Sequence, residues 1–472
     1  MDRFKSFILV ISFIPVLGGV TQCLCAWPAW TDFGKESAEA AETAREVVLL
    51  RERIVQLEAQ NQAILNQLEA LSARLDNHSP PLPSSPAVAA KASRAASTAS
   101  PTAQRLEAAV WAEGNKSRLD FYGFLRVDAI IDDSRPDTFQ FPSFILSEGQ
   151  ASGLGNQSNL SFHPRLTRLG INYRGPQMDG LAGARIGGKI EWDFQNGGRE
   201  SRAIARYRHA YLKLDWEKSS LLLGQSWDLI SPLYPAVNAD SMMWNAGNLG
   251  DRRVQARYAY QPPQGFNFAL AAGLTGAVSP QDLDGDGVRD GEASTLPNLQ
   301  ARVGYKSGSG RVKLGFWSHY GQEQTSLASF NGNKDFDSYS VGADYLFELH
   351  ERLALRGELW LGANLNDFRG GIGQGVNTAL GEEIESRGGW IELGVQVRPR
   401  YKFSTGFSSD DPKNRDILPG GRTENRVWYL VNQLRLAPTF MIGLDYLYWR
   451  TDYRGLEEGT DNRFNLYFIY NF

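Results

Sequence analysis

The sequence predicts an all-β transmembrane β-barrel of about sixteen antiparallel strands, preceded by an N-terminal α-helical coiled coil. Three observations lead to this fold class. Segments of about ten residues that alternate apolar with polar side chains recur over residues 118–472. Short and long breaks separate these segments in turn. The N-terminal residues also have the pattern of an export signal.

Residues 1–26 have the layout of a secretory signal peptide. Asp2, Arg3 and Lys5 precede an apolar run over residues 7–20, and small residues follow it. The run is too short for a comfortable transmembrane helix, which needs about 20 residues. Cleavage near Ala26 would remove both cysteines, so the mature protein is expected to have neither a disulfide framework nor a thiol active site.

Residues 37–77 show the seven-residue apolar repeat of a coiled coil. Positions a are Val47, Ile54, Asn61, Leu68 and Leu75, and positions d are Leu50, Leu57, Ile64 and Leu71. A sustained a/d repeat requires partner helices. An amphipathic helix that packs on its own domain is the alternative interpretation. Residues 78–117 are rich in Pro, Ala and Ser and are expected to form a flexible or extended linker.

From residue 118 onward the apolar period changes to two, as in the strands of outer-membrane barrels. The long breaks cover residues 132–159, 228–250, 276–296, 321–334, 364–387 and 409–424. Short periplasmic turns that alternate with longer extracellular loops explain this spacing. We expect the last strand, ending at Phe472, to present its aromatic face to lipid and to close the barrel beside the first. A soluble β-sandwich would also alternate, but the regular spacing and the export signal favour the barrel.

A barrel of this size leaves an aqueous channel, and the positions opposite the lipid-facing ones line it. On the early strands these positions are mostly basic, and we predict that they bind solute. They are Arg126, Arg168, Arg185, Lys189, Arg206, Arg208, Arg253 and Arg257. Arginine rings favour anions, and each guanidinium fork can bind a carboxylate. The sequence therefore predicts a porin for diffusive uptake of small anionic solutes.

Two points about this channel stay open at the level of sequence. The arginines could instead pair with acids of the interior and hold an inserted loop. In addition, Leu212 and Leu214 share the parity of Arg206 and Arg208, which conflicts with a simple two-faced strand. The segment DLISPLYPAVNADSMMWNAGNLG, predicted as the third extracellular loop, is long, apolar and acid-poor, and we predict that it folds inward and narrows the channel. A surface cap is the alternative.

The segment DLDGDGVRDGE resembles part of a calcium-binding loop. The aspartates at positions 1, 3, 5 and 9 are Asp282, Asp284, Asp286 and Asp290, with Gly287 at position 6. The acid expected at position 12 is replaced by Ala293. We therefore predict either weak Ca²⁺ binding by an extracellular loop or a merely acidic, solvated turn. No other cofactor is expected.

Two function classes are disfavoured. The five histidines show neither metal-ligand spacing nor an obvious Ser/His/acid arrangement, so no enzymatic activity is predicted. A formal net charge of -4 supplies no general positive field, so no nucleic-acid partner is predicted.

Four motifs follow the coiled coil in a fixed order: RLTRLGINYRG, KIEWDF, RYRHAYLKL and LLLGQSWDLISP. With these features the chain resembles DcaP-like trimeric porins of Gram-negative outer membranes. The resemblance implies a homotrimer whose coiled coils meet in the periplasm, and uptake of small anions such as dicarboxylates through an arginine-lined constriction. The competing readings are a general-diffusion porin without anion preference, and a structural tether or adhesin whose coiled coil contacts the cell wall.

Overall fold

In the computed structural model, one antiparallel sheet closes on itself to form a barrel. The structure describes residues 117–153, 157–198, 202–237, 242–327, 330 and 332–472. The predicted signal peptide (1–26), coiled coil (37–77) and nearly all of the linker (78–117) lie outside these residues and stay predictions. No helix in the described part of the chain is long and apolar enough to cross a membrane.

The strands follow one another along the chain with few other elements between them. The first ten are β1 (Arg118–Asp132), β2 (Asn159–His163), β3 (Arg168–Met178), β4 (Ala184–Asp193), β5 (Arg206–Asp215), β6 (Ser219–Trp227), β7 (Arg252–Tyr260), β8 (Gly265–Gly273), β9 (Asn298–Lys306) and β10 (Val312–Thr325). The remaining strands are β11 (Lys334–His350), β12 (Leu353–Ala363), β13 (Val376–Asn377), β14 (Glu382–Glu383), β15 (Glu385–Arg398), β16 (Tyr401–Pro412), β17 (Arg422–Ala437), β18 (Phe440–Tyr453) and β19 (Gly459–Asn471).

The barrel closes between its first and last strands. β2 and β3 pair with successive parts of β1, so they form one interrupted strand, and the barrel has 16 strand positions. The other edge of β1 pairs with β19, from Phe124 opposite Asn471 to Ile131 opposite Phe464. Closure removes the free sheet edges that would otherwise leave backbone groups unpaired. The predicted strand number and closure are both confirmed.

Connections at the two ends of the barrel alternate along the chain, and we name those at the end with the longer loops in chain order. They are L1 (133–158), L2 (194–205), L3 (228–251), L4 (274–297), L5 (326–333), L6 (364–384), L7 (413–421) and L8 (454–458). L1 contains helix α1 (Glu148–Gly153), L4 contains helix α2 (Asp290–Ala293), and L6 contains the small hairpin of β13 and β14. Some strands extend further than predicted, since β10 and β11 stay paired as far as Thr325 and Lys334.

Alternation places apolar side chains outside the barrel and polar ones inside. In β19, Phe464 and Tyr470 are each 45% exposed, whereas Arg463 and Asn465 are each 1% exposed. In β1 the exposed side chains are Leu125 and Ile131, and the buried ones are Asp128 and Asp132. The two faces assigned to these strands from the sequence are therefore confirmed.

Candidate binding site inside the barrel

Ion pairs cover the inner face of β4 and β5. Arg208 donates hydrogen bonds to Glu191 at 2.9 Å and to Asp193 at 2.8 Å. Arg206 donates two hydrogen bonds to Asp193, at 2.9 and 2.8 Å. The hydroxyl of Tyr122 on β1 donates to Glu191 at 2.7 Å. This wall therefore presents guanidinium groups whose positions are fixed by carboxylates.

A β-bulge at Arg208 explains how Arg206 and Arg208 both face the interior. The pairs on either side of it are Glu191 with His209 and Trp192 with Tyr207. Arg208 is thus the extra residue, and a bulge of this kind re-aims the side chains that follow. Leu212 consequently points outward and is 61% exposed. The bulge thus explains why Leu212 shares the sequence parity of Arg206 and Arg208 and yet lies on the opposite face of the strand.

Three other predicted residues lie on the same inner wall. Arg126 is buried, with its guanidinium 2.5 Å from the carboxylate of Asp128. Arg168 and Lys189 are partly exposed and lie 3.7 and 3.3 Å from Glu191. The carboxylate of Glu191 is therefore shared among several cations of neighbouring strands.

Two predicted residues form no ion pair within the described part of the chain. Arg185 is exposed near the turn between β3 and β4 and lies 3.5 Å from the carbonyl oxygen of Gly175. Arg257 donates to the side-chain oxygen of Gln255 at 3.0 and 2.8 Å and to the backbone carbonyl of Trp227. Arg185 thus lies at the rim, whereas Arg257 lies deeper in the wall.

Arg253 holds loops together instead of presenting its charge to a solute. Its side chain is 0% exposed and lies 2.6 Å from Asp228, at the start of L3, and 2.8 Å from Asp367 in L6. It also donates to the backbone carbonyls of Leu274 and Asp367. A buried guanidinium with its donors occupied cannot reach a solute, so Arg253 drops out of the binding site.

Two arginines that the sequence analysis did not single out belong to the site. The guanidinium of Arg252 lies 4.4 Å from the ring of Trp227, and that of Arg369 in L6 lies 5.3 Å from the ring of Trp244 in L3. Both pair with Asp251, at 3.1 and 3.0 Å. Arginine over an aromatic face gains cation–π attraction. For Arg252 the available signal was its position beside Arg253, directly after L3. Arg369 lies in a loop and left no such signal.

We call Arg168, Arg206, Arg208, Arg252 and Arg369 the arginine cluster. Within the described part of the chain, their ion-pair partners are three carboxylates, those of Glu191, Asp193 and Asp251. Burial alone would raise the pKa of the Asp251 carboxyl, but the two arginines paired with it hold that pKa below its usual range. The loop acid therefore stays ionised, and five guanidinium groups share these three carboxylates among the described residues.

L3 connects β6 with β7 but contacts strands on the other side of the barrel. The backbone N–H of Leu233 donates to Glu358 on β12 at 2.7 Å. The backbone N–H of Ala236 donates to Glu392 on β15 at 2.5 Å. Both carboxylates are buried and satisfy loop amides that would otherwise lack partners. The backbone of L3 is thus fixed against this wall.

Gly247 brings L3 into direct contact with the backbone of the wall. Its carbonyl accepts a hydrogen bond from the indole of Trp360 at 2.7 Å, and the nearby carbonyl of Asn245 accepts one from Asn425 at 2.7 Å. Gly247 has φ +117, and a Cβ there would lie 2.4 Å from the carbonyl oxygen of Gly389. Only glycine combines this backbone conformation with so close an approach.

An apolar core lies inside the barrel, beneath L3. Val237, Met243 and Ala246 from L3 and Ile145 from L1 pack with Val427, Tyr429, Val431, Leu447 and Trp449 from β17 and β18. This packing adds to the hydrogen bonds described above, since burial of apolar surface is favourable. L1 and L3 are therefore parts of one packed unit.

Two cavities adjoin the arginine cluster between the loops. One of about 240 Å³ is lined by Arg206, Arg369 and Asp137, together with residues of L1 and L2. A second of about 190 Å³ is lined by Arg369 and Arg422, together with residues of L1, L3, L4 and L6. Arg369 and Ser143 line both cavities, so the two spaces are neighbours.

Asp137 in L1 is the acid that faces these arginines from the loop side of the larger cavity. Its carboxylate accepts backbone hydrogen bonds from Ser143 at 2.7 Å and from Phe144 at 3.4 Å. Burial raises the pKa of the Asp137 carboxyl, and the backbone donors offset this effect only in part. The charge of this cavity wall therefore responds to pH more readily than an exposed aspartate would.

The structure brings together three of the four aspartates predicted to bind a metal ion. Side-chain oxygens of Asp282, Asp284 and Asp290 all lie within 4.8 Å of one another. Asp286 is not part of this group, and its carboxylate accepts the backbone N–H of Val288 at 2.7 Å. The group lies in L4, away from the arginine cluster in the sequence.

No protein-family model and no curated protein sequence matches the chain. Its fold is similar to the crystal structure of the outer membrane channel DcaP of Acinetobacter baumannii, with a TM-score of 0.63 and 19% identity over 75% of this chain and 97% of that one. It is also similar to the anion-selective porin from Comamonas acidovorans, with a TM-score of 0.51 and 12% identity over 76% of this chain and 100% of that one. The predicted resemblance to DcaP-like porins is confirmed at the level of the fold.

Proposed function

We propose that this protein is an outer-membrane porin through which small anionic solutes, dicarboxylates above all, diffuse into the cell. The observation that carries the proposal is the cavity in which the partly exposed guanidinium groups of Arg206 and Arg369 share one wall. Similarity in fold to an outer membrane channel and to an anion-selective porin supports the proposal.

The outer face of the barrel supports its placement in a membrane. Exposed side chains on this face include Leu125, Phe162, Leu212, Phe266, Phe316, Leu359 and Trp428. Lipid requires every backbone group of a spanning segment to be paired internally, and a closed barrel meets this requirement. We place this face in contact with outer-membrane lipid, with the long loops outside the cell and the predicted coiled coil in the periplasm.

L3 is proposed to narrow the channel. Glu358 and Glu392 fix its backbone on one wall, while Trp244 reaches the guanidinium of Arg369. A solute that enters through the larger cavity would meet Arg206 and Arg369 before it meets L3. The aperture would then have an arginine-rich side and a side formed by the loop.

Carboxylates fit this side of the aperture better than neutral solutes. A guanidinium presents parallel N–H donors that match the two oxygens of a carboxylate. The side chains of Arg206 and Arg369 are each 30% exposed, so solvent reaches them while the surrounding wall lowers the screening of their charge. A dicarboxylate offers one anionic group to each of two arginines, which is why we propose this solute class.

The second candidate is a general-diffusion porin without anion preference. The extensive pairing of the arginines favours it, since Arg126 and Arg208 are both buried in ion pairs.

Reversal potentials across a salt gradient in planar bilayers decide between the two candidate functions. Anion selectivity that weakens at high salt is expected, since screening acts over about 8 Å at physiological ionic strength. A cation-selective or unselective channel would overturn the proposal. A lack of reproducible current steps would favour the alternative of a structural tether or adhesin.

We further propose a homotrimer, joined in the periplasm by the predicted coiled coils. A sustained heptad repeat needs partner helices. Because residues 118–472 form the barrel, the predicted helix must find its partners in other copies of the chain. On gels, the purified mature protein should run as a heat-resistant trimer. A monomer under the same conditions would contradict this assembly.

A further inference from the structure

L4 carries a group of carboxylates that the proposed channel does not use. Oxygens of Asp282, Asp284 and Asp290 lie within 4.8 Å of one another. One ion with metal–oxygen distances of about 2.3–2.6 Å can bridge atoms at such spacings. None of the three acids has an ion pair within the described residues, so no cationic side chain of that part offsets their mutual repulsion by direct contact.

Backbone hydrogen bonds hold this part of L4 in a closed loop. The carboxylate of Asp282 accepts the N–H groups of Gly285 at 2.8 Å and of Gly287 at 3.0 Å. The N–H of Asp290 donates to the carbonyl of Gln281 at 2.9 Å and closes the loop at its base. The positions of the acids are thus set by the chain and require no ion to bring them together.

Asp290 supplies an independent reason to expect a ligand. It is 1% exposed, and its Oδ2 has no hydrogen-bond partner within the described residues, while Oδ1 accepts the N–H of Leu283 at 3.2 Å. A buried carboxylate oxygen without a donor is destabilising. A cation shared with the two neighbouring acids would satisfy this oxygen.

We propose that Asp282, Asp284 and Asp290 bind one Ca²⁺ ion in L4, at the mouth of the barrel. Hard oxygen ligands with several negative charges suit Ca²⁺, and they suit Mg²⁺ less well because it demands a regular octahedron. Ala293 replaces the bidentate acid of a complete loop, and Glu292 is paired with Arg289 at 2.5 Å. The affinity should therefore resemble that of extracellular calcium modules, with Kd about 10⁻⁴–10⁻³ M. The proposal does not depend on which solute the channel carries.

The ion would act on loops that meet at the mouth of the barrel. Asp284 accepts the backbone N–H of Ser326 in L5 at 2.7 Å. Just before the aspartates, the N–H groups of Val278 and Ser279 donate to Asp367 in L6, at 2.7 and 2.9 Å. Binding should therefore stiffen L4 where it joins L5 and L6, and protect the bond after Arg289 from trypsin.

Equilibrium dialysis of the full-length protein against ⁴⁵Ca²⁺ tests the proposal directly. We expect saturable binding of one ion per chain, weakened at least tenfold by Asp290→Asn and by Asp282→Asn. Asp179→Asn, in the turn between β3 and β4, is the matched control and should bind as the unchanged protein does. An absence of saturable binding at millimolar Ca²⁺, or equal binding by all variants, would refute the site.

Limited trypsin digestion gives a second readout that does not depend on the yield of the buried variant. Ca²⁺ should slow cleavage after Arg289 several-fold in the unchanged protein and in Asp179→Asn. It should have no effect on Asp282→Asn, whose altered side chain lies near the surface and leaves the barrel intact. Equal protection by Mg²⁺ at the same concentration would reduce the site to general divalent binding and contradict the proposal.

Discussion

The wall around β4–β7 and the wall around β12–β18 both carry charged residues, but they satisfy these charges in different ways. On the first wall, carboxylates pair with guanidinium groups, as Asp193 does with Arg206 and Arg208. On the second wall, Glu358 and Glu392 accept backbone N–H groups of L3, and Glu392 also pairs with Arg356 at 2.7 Å. The same residue type is thus part of a charged surface on one side and an anchor for a loop on the other.

This difference explains why arginine content alone does not locate a binding site. A guanidinium such as Arg253, whose acids belong to loops, is buried and fixes those loops. A guanidinium such as Arg369, which shares an acid and stays 30% exposed, can still reach a solute. Under the proposed function, the wall that holds L3 shapes the channel, and the wall with the arginine cluster sets which charge is preferred.

Removal of L3 should have the largest effect. Replacing residues 231–249 with a short Gly/Ser linker removes the segment anchored on the second wall and leaves the strands of the first wall in place. Single-channel conductance should rise several-fold because the aperture becomes wider. Anion selectivity should fall because more of the aperture then lies farther from the charged wall than the screening length. Planar-bilayer recordings measure both quantities.

Shortening L7 is the control for this experiment, since L7 does not contribute to the hydrogen bonds that hold L3. A heat-modifiable band on gels shows that each variant has formed its barrel. Unchanged conductance after removal of L3 would mean that the loop does not set the aperture.

Gly247→Ala should have an intermediate effect. The added Cβ would meet the carbonyl oxygen of Gly389 at 2.4 Å, so L3 must lift from the second wall. We expect larger and noisier conductance than in the unchanged protein, though less than after loop removal. Gly455→Ala in L8 is the matched control, because Gly455 has φ +78 with no atom near the added Cβ. Equal behaviour of the two variants would attribute the effect to backbone strain alone.

Neutralising one cluster arginine should shift selectivity without a large change in conductance. Arg369→Gln removes a charge that lines both cavities, so the reversal potential should move toward the cation side. Arg311→Gln removes the same charge at the turn before β10, where the side chain is exposed, and should shift the potential less. Equal shifts would show that net charge, and not the arginine cluster, determines the preference.

How much the sequence could predict depends on whether a residue obeys strand alternation. The strands, their closure and the outward position of Phe464 follow from a local period of two, which needs no tertiary information. The inward position of Arg208 depends on a bulge, and its only trace was a parity conflict with Leu212. The role of Arg253 depends on Asp367, which is distant in sequence and lies in a loop.

Arg369 and Trp244 could not be placed from the sequence for the same reason. Both lie in loops, where no period links position to orientation, and their contact joins L3 with L6. The apolar, acid-poor composition of L3 suggested that it would fold inward, but not which wall would hold it. Partner choice between loops is a tertiary property, and one sequence carries little information about it.

A pH dependence that originates at Asp137 should be the smallest effect. Burial raises the pKa of this carboxyl, so as the pH falls from neutral it is protonated before exposed aspartates, whose ordinary pKa is about 3.9. Protonation removes one negative charge from the cavity that contains Arg206 and Arg369, and anion selectivity should therefore increase as the pH falls. Reversal potentials recorded over this range at constant salt measure the shift. Asp137→Asn should already show the higher selectivity at neutral pH and should lose this step, whereas the exposed Asp335→Asn should retain it. An identical pH profile in Asp137→Asn would show that another group titrates and that the charge of Asp137 does not act on the permeating ions.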